Sequence, residues 1–173
     1  MSIFYRSRLW TAIWLYILVI YLSLPLMRSV LNFLKESVGS DVIGWTLNGL
    51  LLTWGLVLLV LGARLGWKVW LHIAAPLALI LALAAQLSIP EERFHFLQYG
   101  LLGILVLKTV RLQLWSQLLL ATLFVVLVGA GDELIQWVLP NRVGDLRDVG
   151  MNTLAGVLGV WIGKSLFWRS APS

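Results

Sequence analysis

Three stretches of this chain keep polar side chains that its apolar surroundings do not require, and their spacing points to proton transfer or ligand binding. The first is Pro90-Glu91-Glu92-Arg93-Phe94-His95-Phe96-Leu97-Gln98-Tyr99. On a helix, Glu92, His95 and Tyr99 fall on one face, at offsets of three and four. A carboxylate beside an imidazole fixes its tautomer and prepares it for general acid-base work. A structural alternative stands beside this reading, since Pro at the first helical position with acids in the first turn is also an ordinary helix start.

The second stretch, Gly129 to Trp137, places Asp132, Glu133 and Gln136 late in a long apolar run. Acids near the negative end of a helix dipole are unfavourable there. At the centre of a bilayer each would cost about 2.5–3.5 kcal/mol, so they persist where they are paired or used. Glu133 and Gln136 share a face at a spacing of three, and Asp132 is expected to point elsewhere. The third stretch, Pro140 to Asn152, offers Arg142, Asp145, Asp148 and Asn152. Asp145 followed by Asp148 also suits an N-cap and its partner three residues on. Asn152 lies one turn deeper, beyond the reach of capping. Beyond it Ala155, Gly159 and Gly163 recur every four residues, with Gly156 alongside, a small-residue pattern that suits close helix packing.

The elements that must position these groups follow from composition. Of 173 residues, 60% are hydrophobic and 12% charged, against about 25% charged in a soluble domain. With mean hydropathy +0.91, a water-facing monomer is excluded. There are no cysteines, hence no disulfide framework and no thiolate metal site. The basic residues are scattered singly rather than gathered in a stripe, so no nucleic-acid partner is expected despite a pI of about 10.0. The expected fold is all-α: one membrane domain over residues 1–173, a polytopic transmembrane bundle of about six spans with both termini cytoplasmic.

Cut at charges and Pro/Gly punctuation, the apolar runs are Leu9–Leu26, Val42–Gly62, Trp67–Leu87, about Pro90–Val110, Leu112–Leu139 and about Asp148–Trp168. The N-terminal run is read as a retained anchor, because Ser23 to Arg28 offers no small-x-small cleavage site. Between Arg28 and Asp41 the pattern suits a short amphipathic surface helix or a plain loop. Inside then fall Arg6, Arg8, Arg64, Lys68, Lys108, Arg111, Lys164 and Arg169. Outside fall Arg28, Lys35, Arg93, Arg142 and Arg147, together with all eight acids. The bias of basic residues obeys the positive-inside rule. Trp10, Trp67, Trp70, Trp115 and Trp168 near the inner ends, and Trp45 and Trp137 near the outer, suit interfacial belts. His72 is expected at the inner interface, and Thr46, Asn48 and Thr53 as interhelical hydrogen bonds. His95, Glu133, Gln136, Arg142, Asp145, Asp148 and Asn152 thus share one depth on three consecutive helices, where they can converge on a single pocket.

Glu92 to Gly103, Asp132-Glu-Leu-Ile-Gln136 and Pro140-Asn-Arg-Val-Gly-Asp-Leu-Arg-Asp-Val-Gly-Met-Asn-Thr-Leu-Ala-Gly156 resemble the VanZ-like membrane proteins, in the family's order over about residues 90–163. The resemblance puts the family's polar signature on His95, Glu133, Gln136, Arg142, Asp148 and Asn152, and implies a bacterial cytoplasmic-membrane protein. The family's founding member is associated with resistance to the glycopeptide antibiotic teicoplanin, which makes a link to glycopeptide resistance an implied one here. Many members carry Asp-Lys ahead of the histidine where this chain has Glu91-Glu92, so no role needing that lysine charge carries over.

The expected function is recognition or processing of a cell-envelope molecule or lipid headgroup in an outward-facing polar pocket, with membrane lipids and a lipid-linked or cell-wall ligand as partners. As an enzyme it would use His95 as general acid-base with Glu92 or Glu133 orienting it, and Glu133 and Asp148 as further catalytic candidates. Glu92, Tyr99, Gln136, Arg142, Asp145 and Asn152 would bind the ligand, with Arg142 on a phosphate or carboxylate. Asp148 and Asn152 would position substrate or a hard cation. No metal site is assigned, since one histidine with carboxylates is not a diagnostic spacing, and no cofactor is identified. Two further readings stay open: an assembly protein locked by a charge network of Glu133, Arg142 and Asp148, and, with less support, a transporter.

Overall fold

The computed structural model describes residues 3–140 and 144–167, with side chains from residue 7 onward. Six α-helices follow one another: α1 Ile3–Val38, α2 Ser40–Leu65, α3 Trp67–Ala85, α4 Phe94–Thr109, α5 Leu114–Val138 and α6 Leu146–Phe167. A 3₁₀ turn, Pro90–Arg93, precedes α4. No strand occurs among the described residues. α1, α2, α3 and α5 are long and apolar enough to cross a membrane. α4, with 16 residues, is about 24 Å long, short of the roughly 30 Å hydrocarbon layer.

One element departs from expectation. α1 does not end near Leu26 but continues to Val38 with Pro25 inside it, so residues 28–38 are neither a loop nor a separate surface helix. No helix breaker follows Pro25 until Gly39, and Lys35 in the last turn suits the helix dipole. The extra turns matter because they wall the cavity described below. Gly39 and Gly66, at φ 89° and 124°, are one-residue connections from α1 to α2 and from α2 to α3. A side chain would be strained at either φ.

The core sits between α4 and α6, the most extensive helix pair, and α6 also packs on α5 and α3. The two run parallel with their backbones nearly touching. A Cβ on Gly103 would lie 2.9 Å from the Val160 nitrogen, and one on Gly159 would lie 2.8 Å from the Gly100 carbonyl carbon. The small-residue repeat in α6 is therefore a packing seam, matched by Gly100 and Gly103 on α4. In contrast, only 22% of the apolar window in α1 or α2 is buried. Leu15, Val19, Leu22, Leu52 and Leu56 are exposed, an apolar surface suited to lipid.

The helix directions sort charge by end. Arg8, Arg64, Lys68, Lys108, Arg111 and Lys164 lie at one end with no acid among them, and all eight acids lie at the other. Exposed Trp67, Trp70 and Trp115 flank the basic end and Trp45 and Trp137 the acidic one. Trp10 is instead partly buried, edge-on to Phe124 at 5.7 Å, because α1 crosses α5 there. Trp168 lies outside the described residues.

Candidate functional site at the acidic end of the bundle

The last turns of α5 bring Asp132, Glu133 and Gln136 to the acidic end, all buried. Gln136 Nε2 donates to Asp132 Oδ1 (3.2 Å) and to Glu133 Oε1 (3.1 Å). From α4, the Tyr99 hydroxyl donates to Asp132 Oδ2 at 2.6 Å, the length of a charge-assisted O–H···O bond. Asp132, expected to point away, is 1% exposed and central. α5 is packed by α1, α4 and α6, so its buried arc is wider than the 100° between consecutive residues. The signal for Asp132 was its spacing of four from Gln136.

α6 contributes from the opposite side. Asp145 caps it, its Oδ1 accepting the Arg147 N–H at 2.9 Å. In a capping box the acid three residues on would accept the N-cap N–H. Here Glu133 Oε2 accepts it, at 3.2 Å, which leaves the Asp148 carboxylate to face the cavity. One turn deeper, fully buried Asn152 reaches Glu133 Oε1 from Nδ2 at 3.5 Å, while its Oδ1 has no partner. The backbone of α5 approaches Asn152 so closely that a Cβ on Gly129 would come within 2.9 Å of the Asn152 Cβ.

The 3₁₀ turn and the start of α4 close the third side. Arg147 bonds Glu92 at 3.0 Å, and Lys35 of α1 pairs with Glu91. His95 stacks at 6.3 Å on Tyr99, and its Nδ1 is buried without a partner. The expectation that Glu92 or Glu133 orients His95 is not met here. Glu92 is held by Arg147, and Glu133 by Gln136, Asn152 and the Asp145 N–H.

These groups border a cavity of about 550 Å³. His95, Glu92, Asp132, Gln136, Asp145 and Asp148 face it, as do Glu91, Arg28 and Lys35, while Leu24, Met27, Leu31, Leu47, Ile89 and Phe94 give it an apolar side. Tyr99, Glu133 and Asn152 lie behind its wall, linked to it through Asp132 and Gln136. Arg142 lies outside the described residues. No group of three or more His, Asp or Glu side chains is placed to hold a metal ion among the described residues.

Sequence reasoning also missed Arg93. Its guanidinium donates to Ala84 O (3.0 Å), Leu87 O (3.0 Å) and Asn48 Oδ1 (2.8 Å), tying α2, the end of α3 and α4 together. Asn48 thus makes the interhelical bond expected of it. Thr46 and Thr53 do not; each bonds a carbonyl of its own helix, Val42 O and Gly49 O. His72 is exposed, with Nδ1 2.7 Å from Lys68 O.

A family model described as VanZ/LLP1 matches residues 3–168, and the chain belongs to that family. No curated protein and no solved structure matches it.

Proposed function

We propose that this member of the VanZ/LLP1 family is a multi-pass protein of the bacterial cytoplasmic membrane that binds an amphiphilic envelope molecule at its acidic end. In this reading the basic end faces the cytoplasm, following the positive-inside rule, and the cavity opens outward. The observation that carries it is the two-sided lining of the 550 Å³ cavity, whose volume lies within the usual range for small-molecule sites, about 300–1,000 Å³. The apolar side suits an acyl or prenyl chain. Among the described residues, the polar side carries five carboxylates together with Arg28 and Lys35, and Lys35 is held by Glu91. Such a wall favours a headgroup rich in donors, an amine or a polyol, over a bare phosphate. Asp148, released from capping, and His95, with an unmet Nδ1, are the groups for the headgroup to engage.

The test is to identify by mass spectrometry the amphiphiles that co-purify with the full-length protein and with Asp148→Asn and His95→Ala. A molecule with an amine or polyol headgroup, retained by the wild type and lost from both variants, is the expected result. Identical lipid complements in all three would end the reading. Teicoplanin susceptibility of cells with and without the protein checks the implied link to glycopeptide resistance.

The second reading is a non-catalytic assembly protein, favoured by the Glu92–Arg147 pair that ties the 3₁₀ turn to α6. Reversing both charges, Glu92→Arg with Arg147→Glu, should restore the phenotype of either single change if the pair is structural.

A further inference from the structure

At the opposite, basic end lies a second cavity of about 340 Å³, lined by Leu107, Lys108, Arg111, Leu112, Gln117 and Phe167. Nothing in the proposed function uses it. Among the described residues that line it, two are cations and none is an acid. Lys108 lies 5.1 Å over the ring of Phe167, which holds its ammonium between α4 and α6. Gln117 is buried, and its Nε2 donates at 2.7 Å to both Leu107 O and Val110 O. These are carbonyls of the α4 C-terminus, the atoms whose partial negative charge would otherwise offset the cations. α5 starts at the same edge with no side-chain cap, so the positive end of its dipole adds to the field.

The remaining lining is apolar. Leu107, Leu112 and Phe167 form it, and the exposed Trp115 of α5 stands nearby in sequence, as a tryptophan does at the level of lipid headgroups. A cationic cavity with an apolar wall at a membrane interface matches an anionic phospholipid. We propose that this cavity holds the phosphodiester headgroup of one anionic membrane lipid, with Lys108 and Arg111 on the phosphate and the lipid's glycerol against Leu107, Leu112 and Phe167.

The proposal is independent of any ligand at the acidic end. Native mass spectrometry of the full-length protein in detergent, titrated with phosphatidylglycerol, tests it. The wild type should retain one phosphatidylglycerol tightly and the zwitterionic phosphatidylcholine far less. Lys108→Met with Arg111→Met, which keeps the aliphatic stems, should weaken retention about 25-fold, at about fivefold per cation. Arg64→Met with Lys68→Met, at the same end but outside the cavity, should leave retention unchanged. Undiminished retention by the first double variant, or equal retention of phosphatidylcholine by the wild type, would overturn the assignment. Inorganic phosphate that displaces the lipid at equal concentration would show a free-phosphate site instead, and would also overturn it. Should the double variant fail to fold, Lys108→Met alone carries the test, with its fivefold loss read beside an unchanged unfolding temperature measured without lipid.

Discussion

Arg93 and the Asp132–Glu133 pair bury charge at the same end of the bundle, yet they are satisfied in different ways. The guanidinium meets three acceptors at 3.0 Å or less, two of them main-chain carbonyls at and just past the end of α3. That network is closed, and Arg93 lines neither of the two cavities described above. The two carboxylates share one amide donor, and the bonds around them lengthen towards Asn152, where an oxygen is left over. A second unmet atom is the buried Nδ1 of His95, a residue that lines the cavity. Buried polar atoms are seldom left unpaired without cause. The difference separates a charge whose nitrogens are all matched from a buried cluster in which polar atoms stay unmatched.

Mutations can break this contrast or sharpen it. Arg93→Ala removes the donor to three acceptors, of which Ala84 O keeps the Leu87 N–H, and should cost about 3 kcal/mol, read as a large fall in unfolding temperature in detergent. A variant as stable as wild type would erase the distinction. Gly159→Ala probes pure packing, since its methyl must push α4 from α6. It should cost about 1–3 kcal/mol, with ligand retention in the folded fraction unchanged. Glu133→Gln keeps an acceptor for the Asp145 N–H but sets a new donor among donors. A loss of about 1 kcal/mol with reduced retention of the co-purifying amphiphile is expected. Asp148→Asn should be the mildest in stability, within about 0.5 kcal/mol, while abolishing that retention. A Gly159→Ala protein that lost its ligand while Asp148→Asn kept it would reverse the assignment of roles.

Much of this architecture was legible from the chain. Six apolar runs became six helices, because apolar length and Gly/Pro punctuation act locally. The recurrence of Ala155, Gly159 and Gly163 announced a seam, although its partner, α4, depends on tertiary arrangement. The continuation of α1 beyond Leu26 was not legible, because the apolar run ends at the charge of Arg28 while the backbone still propagates a helix to Val38. Asp132 was misplaced for a geometric reason: a helix packed by three neighbours buries more than one face. Arg93 escaped notice because its acceptors are main-chain carbonyls, which carry no residue-specific signature.

The Arg93 network also has a consequence for the order of assembly. A chain emerges from its N-terminus, so Asn48, Ala84 and Leu87 are already made when Arg93 and the short α4 appear. The helix least able to span the bilayer unaided thus finds its anchor waiting. Glu133 has no such welcome, since its partners at Asp145 and Asn152 are synthesised after it. The Arg93 anchor can form early, whereas both the α4–α6 core and the buried polar cluster wait for α6, so a nascent protein halted before α6 would hold an anchored α4 with no partner for its glycine seam.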